Sequence, residues 1–295
     1  MKVVVFGGSG FLGSYVVDAL LAEGYDTFVF DNKKSEHLKD SSKMITKNIL
    51  DEEAVIEAVK GADIVYNFAA IADIDECIQH PLDAVKDNIL GNTIILEACV
   101  KAKVKRFMFA SSIYVYSATG GIYRSTKQAC ESLIDDYYKF YGLNFTILRY
   151  GTPYGPRADE QNSVYRFLEQ AIERGKIEYY GDGSEVREYI HASDAARLSV
   201  RALDKQHQNE CVLITGSHPV RITELFTMIN EILNKKIRVE YSKKGIKSLE
   251  SHYQITPYSY NPKIAKKLMD DYYLDLGQGL LECIEEFYKS RKGEK

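Results

Sequence analysis

With 295 residues, 45% hydrophobic and 27% charged, the chain has an ordinary globular composition and the length for one large α/β domain or a nucleotide-binding domain with a smaller partner. Its formal net charge of −4 comes without any long basic run, which argues against nucleic acid as a partner. Cys77, Cys99, Cys130, Cys211 and Cys283 stand far apart, with no CxxC pair and no histidine at metal-ligand spacing, so reduced, packed thiols of a cytoplasmic protein are expected and no metal site is.

The N-terminal MKVVVFGG has one lysine and a short apolar run that stops at glycines, which fits a buried strand rather than a signal peptide. No stretch approaches the roughly 20 apolar residues of a membrane span, so no membrane partner is expected. Lys2–Phe6 is a strand; Phe11, Leu12, Tyr15, Val16, Ala19 and Leu20 then recur at helical spacing up to Gly24. Thr27–Phe30 and Lys43–Ile49 follow as strands, DEEAVIEAVKG as a helix, and ADIVYNFAA as a strand. A long helix is expected near Leu82–Ala102, then the strand RFMFASS, a helix over Tyr123–Tyr141 and the strand NFTILRY. Such alternation predicts a doubly wound parallel Rossmann sheet with right-handed crossovers. After Tyr150 the Gly/Pro loop GTPYGPRADEQN begins shorter, more irregular elements. The expected division is a dinucleotide-binding domain over 1–157 and a second, smaller α/β substrate domain over 158–295, with a segment of about 189–205 returning to the first.

The dinucleotide expectation rests on Gly7, Gly10 and Gly13, a G-x-x-G-x-x-G run between strand and helix. Glycine there permits positive φ and close backbone approach to a pyrophosphate, whose charge the helix N-terminus stabilises. Asp31 ends the second strand, 18 residues after Gly13, where a carboxylate accepts hydrogen bonds from an adenosine ribose and repels a 2′-phosphate. NAD is therefore expected over NADP.

A second cluster lies in residues 110–134. Tyr123 and Lys127, four apart on a predicted helix, share one face. A phenol of pKa near 10 becomes a useful base when a lysine cation and an oxidised nicotinamide favour its phenolate, and lowering it by about three units takes roughly 4 kcal/mol. Ser112, at the carboxyl end of the preceding strand, is placed to hydrogen-bond the reacting hydroxyl. In a chain with 22 tyrosines the Y-x-x-x-K spacing alone is weak; its position after the fifth strand of a dinucleotide-binding pattern gives it weight.

With these motifs the chain resembles the extended short-chain dehydrogenase/reductase family, in its nucleotide-sugar epimerase/dehydratase branch. GGSGFLG, FDN (30–32), NFAA (67–70), NILGN (88–92), SSIYVY (111–116), YRSTK (123–127), LRYGTPYGPR (148–157), GDGSEVREYIHASD (181–194) and ITGS (214–217) carry the resemblance over nearly the whole chain. It implies Tyr123 as base, Lys127 as cofactor-ribose ligand and Ser112 as hydroxyl partner. It also implies cofactor contacts at Gly7, Gly10, Phe11, Leu12, Gly13, Asp31, Asn32, Asn48, Ile49, Ala69, Ala70, Asn88, Lys127 and Tyr150, and substrate contacts at Ser112, Thr152 and Arg187. Asn88 matches a structural, water-holding position of the family, and an ordinary helix amide is nearly as good a reading. Arg187 matches a diphosphate-binding arginine, with a surface arginine beside Glu188 as the plainer alternative.

Departures narrow the expectation. Where the branch's 4,6-dehydratases carry Asp-Glu after the Ser or Thr, this chain has Ile113 and Tyr114, and it lacks the acid that would expel a 6-hydroxyl as water. Asn48 replaces an Asp expected to meet the adenine, Thr152 an Asn and Glu188 an Asp, and only SATGGI separates Tyr116 from Tyr123, where a longer loop borders the sugar pocket. The leading expectation is an NAD-dependent nucleotide-sugar 4-epimerase acting through a 4-keto sugar. A 4-dehydrogenase or 4-ketoreductase uses the same residues, and a non-catalytic dinucleotide-binding regulator is a third possibility. The nucleotide (UDP, GDP, CDP or dTDP) and the sugar stay open, with base and sugar contacts expected in NSVYRFLEQAIERG and SKKGIKSLESHYQITPYSY. His191 is expected to pack or hydrogen-bond at an element boundary, and Tyr137, Tyr138, Tyr141, Tyr179 and Tyr180 to pack. Apolar residues beyond one sheet face (Ile89, Ile94, Ile95, Leu96, Ala129, Leu133, Ile134, Tyr137, Tyr138), with the resemblance, point to a homodimer.

Overall fold

The computed structural model describes residues 1–40, 43–234, 237–242 and 266–292. β1 (Lys2–Phe6) is buried from Val3 onward and runs through the glycine loop into α1 (Phe11–Ala22). β2 (Asp26–Asp31), β3 (Met44–Thr46), α2 (Glu52–Val59) and β4 (Ile64–Asn67) follow. β3 is shorter than the expected 43–49 because Asn48 turns the chain: its Oδ1 accepts from the N–H of Leu50 at 2.8 Å and its carbonyl from that of Asp51 at 3.0 Å. β4 stops at Asn67, whose Oδ1 takes the N–H of Ala69 at 3.0 Å.

The helix expected near 82–102 runs without interruption over 81–102 and carries a π turn within it. α3 (Ile74–Gln79) and α4 (Pro81–Ala84) precede a wider π turn over Val85–Leu90, and α5 (Gly91–Ala102) completes the run. A π turn disturbs the i→i−4 pattern, and here the Cys130 thiol donates to the Asn88 carbonyl at 3.0 Å. β5 (Arg106–Ser112), a 3₁₀ turn (Ile113–Tyr116), α6 (Gly121–Tyr141) and β6 (Phe145–Tyr150) close this half.

Beyond it come β7 (Thr152–Tyr154), α7 (Ser163–Arg174), β8 (Lys176–Tyr180), β9 (Val186–Arg187), β10 (Tyr189–His191) and α8 (Ala192–Arg201). β11 (Glu210–Ile214), β12 (Val220–Arg221), α9 (Ile222–Ile232), β13 (Arg238–Ser242), β14 (Lys266–Lys267) and α10 (Leu276–Lys292) follow. Eight strands form one parallel sheet in the order β14-β11-β6-β5-β4-β1-β2-β3. The return to the sheet is thus wider than the expected 189–205, since β11 and β14 join it as well as α8 packing beside α1.

Both faces of the sheet are covered, as parallel strands require. On one, Val16, Val17 and Leu20 of α1 meet Ala195, Ala196 and Leu198 of α8 over Val3, Val5 and Tyr66. On the other, Val55, Ile95, Cys99, Cys130 and Ile134 pack over Val4, Phe6, Phe107 and Ile147. A smaller lobe has its own core of Phe167, Leu168, Ile177, Leu225, Phe226, Ile229 and Leu280. Between β1 and β4 the strand order reverses, and a ligand crevice opens beyond the carboxyl ends of strands at such a switch point.

Candidate active site

A cleft of about 1540 Å³ lies at those strand ends and continues under the smaller lobe. Single-ligand pockets run to about 1,000 Å³, so this one has room for a dinucleotide and a second nucleotide.

At one end the wall is backbone. Gly7 has φ +74°, and a Cβ on it would stand 2.5 Å from the Ala69 nitrogen; on Gly13 a Cβ would stand 2.1 Å from the Gly7 carbonyl oxygen. Gly10, the N-cap of α1, brings no side-chain cap, so the first amides of that helix are left for an anion. Asp31 is held by two backbone amides, Ser9 N to Oδ2 at 3.0 Å and Lys33 N to Oδ1 at 3.1 Å. Phe11, Leu12, Asn32, Asn48, Ile49, Ala69, Ala70 and Tyr150 line this end too. This close-packed cradle, with a fixed carboxylate at the ribose distance along the chain, fits NAD.

Asn88 departs from the expectation. It is 3% exposed and stands behind the wall: Oδ1 accepts from Ile71 N at 2.7 Å, and Nδ2 donates to Ile71 O at 3.0 Å and Thr126 Oγ1 at 3.0 Å. Its amide ties the loop after β4 to α6, so it positions the cofactor wall and the catalytic helix without facing the cleft.

In the middle of the cleft Ser112, Tyr123 and Lys127 come together. Ser112 caps the 3₁₀ turn, its Oγ accepting from Tyr114 N at 3.3 Å, and its side chain hydrogen-bonds Tyr123. The Lys127 ammonium donates to Ala110 O at 2.8 Å and lies 5.7 Å from the Tyr123 ring centroid. The expected lowering of the Tyr123 pKa rests on Lys127 together with the nicotinamide cation, and among the protein's own groups burial weighs the other way. Burial pushes the phenol upward, against the Ser112 hydrogen bond. Burial also lowers the Lys127 ammonium. A nicotinamide cation beside Tyr123 would act in the opposite sense to this burial, favouring the phenolate.

The short loop SATGG is drawn tight: Ser117 Oγ lies 2.7 Å from Thr119 Oγ1, and the Arg124 guanidinium bonds the carbonyls of Ser117 and Ala118. Tyr114 fills the space beside it, edge-on to Tyr123 with centroids 6.4 Å apart. Behind the site a buried ion pair joins three elements. Arg149 Nε donates to Glu131 Oε1 at 2.9 Å and Nη2 to Oε2 at 2.5 Å, while Ser111 Oγ donates to Oε1 at 2.5 Å and Tyr116 meets Arg149. This cluster locks α6 to β5 and β6, one turn beyond Lys127.

At the far end, side chains make the wall. Thr152 and half-buried Arg187 line it, with Asn162, the N-cap of α7, and Ser163, Arg166, Phe167 and Gln170 along that helix. Lys267 holds Glu188 at 3.3 Å. Tyr179 and Tyr180, expected only to pack, line the cleft, whereas Tyr137 is a core residue at 8% exposure. Asp159, Gln161, Glu178 and Glu185 also line it and were not singled out from the sequence. The only signal for Glu185 was its place inside GDGSEVREY. Of the second segment expected to carry base and sugar contacts, 243–260 lie outside the described residues. His191 is 3% exposed and N-caps α8, with Nδ1 2.7 Å from Ser193 Oγ and Nε2 3.3 Å from Glu282. Burial lowers its pKa to about 4.

A doubly wound sheet with this glycine cradle defines a dinucleotide-dependent enzyme. The chain belongs to the NAD dependent epimerase/dehydratase family, which it matches over residues 3–214, and NAD is its cofactor. It is 28% identical over 265 residues to a UDP-N-acetyl-alpha-D-glucosaminuronate decarboxylase of Bacillus cytotoxicus, covering 81% of this chain and 82% of that one. To a UDP-glucuronate 4-epimerase of Thermodesulfobacterium geofontis it is 27% identical over 268 residues, covering 81% and 82%. The structure of a UDP-glucose 4-epimerase of Thermotoga maritima with UDP-glucose superposes with a TM-score of 0.85 at 27% identity, covering 99% of this chain and all of that one. Among the described residues no helix is long and apolar enough to cross a membrane.

Proposed function

We propose that the protein is a nucleotide-sugar 4-epimerase. The observation that carries this reading is the Ser112–Tyr123–Lys127 set in the middle of a two-nucleotide cleft, with Ile113 and Tyr114 where a dehydrating enzyme needs carboxyl acids. Relatives of the chain include a decarboxylase as well as epimerases, so the supporting weight falls on these residues. NAD bound here would supply the hydride acceptor and donor for the sugar carbon. Gly7, Gly10, Gly13 and Asp31 hold it, with Lys127 toward the reacting end. Tyr123 removes the proton of the 4-hydroxyl, and Ser112 hydrogen-bonds that oxygen as the carbonyl forms. The keto sugar turns within the cleft. Tyr123 then returns the proton, so substrate and product have equal mass. Arg187, a guanidinium fork on β9, holds the diphosphate.

The same reading makes the protein a homodimer in a reducing cytoplasm, in keeping with five free cysteines. The apolar residues expected to mark the dimer face are largely core: Ile94, Ile95, Leu96, Ile134 and Tyr137 are buried. A different set is exposed on α4 to α6, led by Leu82 at 73% and Phe140 at 77%, with Leu90 and Tyr141. Light scattering should give twice the 33.5 kDa of the chain.

The decisive test is product analysis after mixing the NAD-loaded protein with UDP-, GDP-, CDP- and dTDP-linked hexoses and hexuronates. A product of unchanged mass and altered retention is expected. A product lighter by two hydrogens, or by carbon dioxide or water, overturns the epimerase.

A further inference from the structure

Glu185 sits in the wall of the far end of the cleft at 4% exposure, and its Oε2 has no hydrogen-bond partner. Tyr179, from the neighbouring β8, bonds the same carboxylate. A buried carboxylate oxygen left unpaired is costly, and a carboxylate can only accept. The group it faces must therefore bring an N–H or O–H. A diphosphate cannot do so and would be repelled; Arg187, two residues on and lining the same cleft, answers that charge. Gln170 lines the same end, and because its Oε1 takes the N–H of Glu178 at 2.8 Å, its amide nitrogen remains to donate. An acceptor and a donor beside the rings of Tyr179 and Tyr180 match a nucleoside, which carries donors, acceptors and a flat face.

Resting on the nucleotide-sugar reading, we propose that Glu185 binds the nucleoside half of the substrate by accepting a hydrogen bond from a ribose hydroxyl or a base N–H. It is a binding residue remote from the reacting carbon, so it sets affinity and nucleotide choice while Tyr123 sets the rate.

Calorimetric titration of the NAD-loaded full chain with UDP, 2′-deoxy-UDP, 3′-deoxy-UDP, CDP and GDP tests this. Glu185→Gln keeps the shape and an acceptor for Tyr179; it should weaken the best-bound diphosphate about tenfold or more at an unchanged melting temperature. Glu185→Asp, which retracts the carboxylate by one methylene, should weaken it as well. If a ribose hydroxyl is the donor, one deoxy form binds wild type as weakly as UDP binds Glu185→Gln, and the variant no longer tells them apart. If a base N–H is the donor, the loss differs between bases and is the same for UDP and its deoxy forms. Unchanged binding of all five to both variants overturns the proposal, as does a Tyr179→Phe variant that reproduces the whole loss, since the carboxylate would then only hold the turn. Wild type that binds none of the five, nor dTDP, sinks the nucleotide-sugar reading itself.

Discussion

The Asp31 end of the cleft and the Glu185 end are made of different things. At the first, binding groups are backbone amides of one loop and one helix start, drawn together because β1, β2 and β4 are neighbours in a parallel sheet. At the second, they are side chains from α7, β8, β9 and the loops between them, carried on ribbons of only two strands. A surface of backbone is coupled to the fold and tolerates little change; a surface of side chains can be exchanged without unfolding anything. One cleft can therefore keep one cofactor while its other end is adapted to different substrates.

Where the two ends meet, Tyr123→Phe should give the largest effect. Turnover is expected to fall by about 10²–10⁴-fold, with NAD content and melting temperature unchanged; a variant retaining full turnover would show that the centre of the cleft is not where the chemistry happens. Next, Glu131→Gln leaves buried Arg149 short of its counter-charge and should cost about 3–5 kcal/mol in urea unfolding. If it costs nothing, the lock between α6 and the sheet is unimportant to both ends.

His191 supplies a pH test. Its pKa is about 4 in the folded protein against 6.5 ordinarily, so the folded state binds fewer protons between those values. Its contribution is full above about pH 6.5 and is lost as pH falls through the folded pKa of about 4, amounting to about 3 kcal/mol. Urea titrations of wild type and His191→Asn should converge on lowering the pH by about that amount. Parallel pH profiles would mean that Glu282, 3.3 Å away, holds the imidazole charged.

Arg187→Met tests the exchangeable end. KM for the nucleotide sugar should rise about 10–100-fold with kcat within a few-fold and stability unaltered; a loss confined to kcat would move Arg187 away from the diphosphate. Finally, Gly13→Ala tests the inflexible end, where a Cβ meets the Gly7 carbonyl. A stability loss of about 1–3 kcal/mol together with loss of bound NAD is expected, and an unaffected variant would remove the contrast between the ends.

Residues close in sequence were enough to announce the first end. G-x-x-G-x-x-G, an Asp closing the next strand and Tyr123 with Lys127 one helical turn apart are local patterns, and strand–helix alternation by itself determines a parallel sheet whose loops meet at one edge. Periodicity could not say that the 82–102 helix carries a π turn, at which Asn88 meets Ile71, Thr126 and the Cys130 thiol from across the fold. Nor could it distinguish buried Tyr137 from cleft-lining Tyr179, or exposed Leu82 from buried Ile95, since each has the same local signature as its counterpart. The sign of the protein's effect on Tyr123 was also a tertiary matter: sequence places a lysine nearby, but burial depends on every neighbour that excludes water. Sequence alone thus determined the sheet, the glycine loop and the pairing of Tyr123 with Lys127 on one helix face, whose partners lie within a turn or one strand connection. The tertiary structure alone decided the far wall of the cleft and Glu185's unpaired oxygen, because those groups meet only after distant segments of chain have folded onto one another.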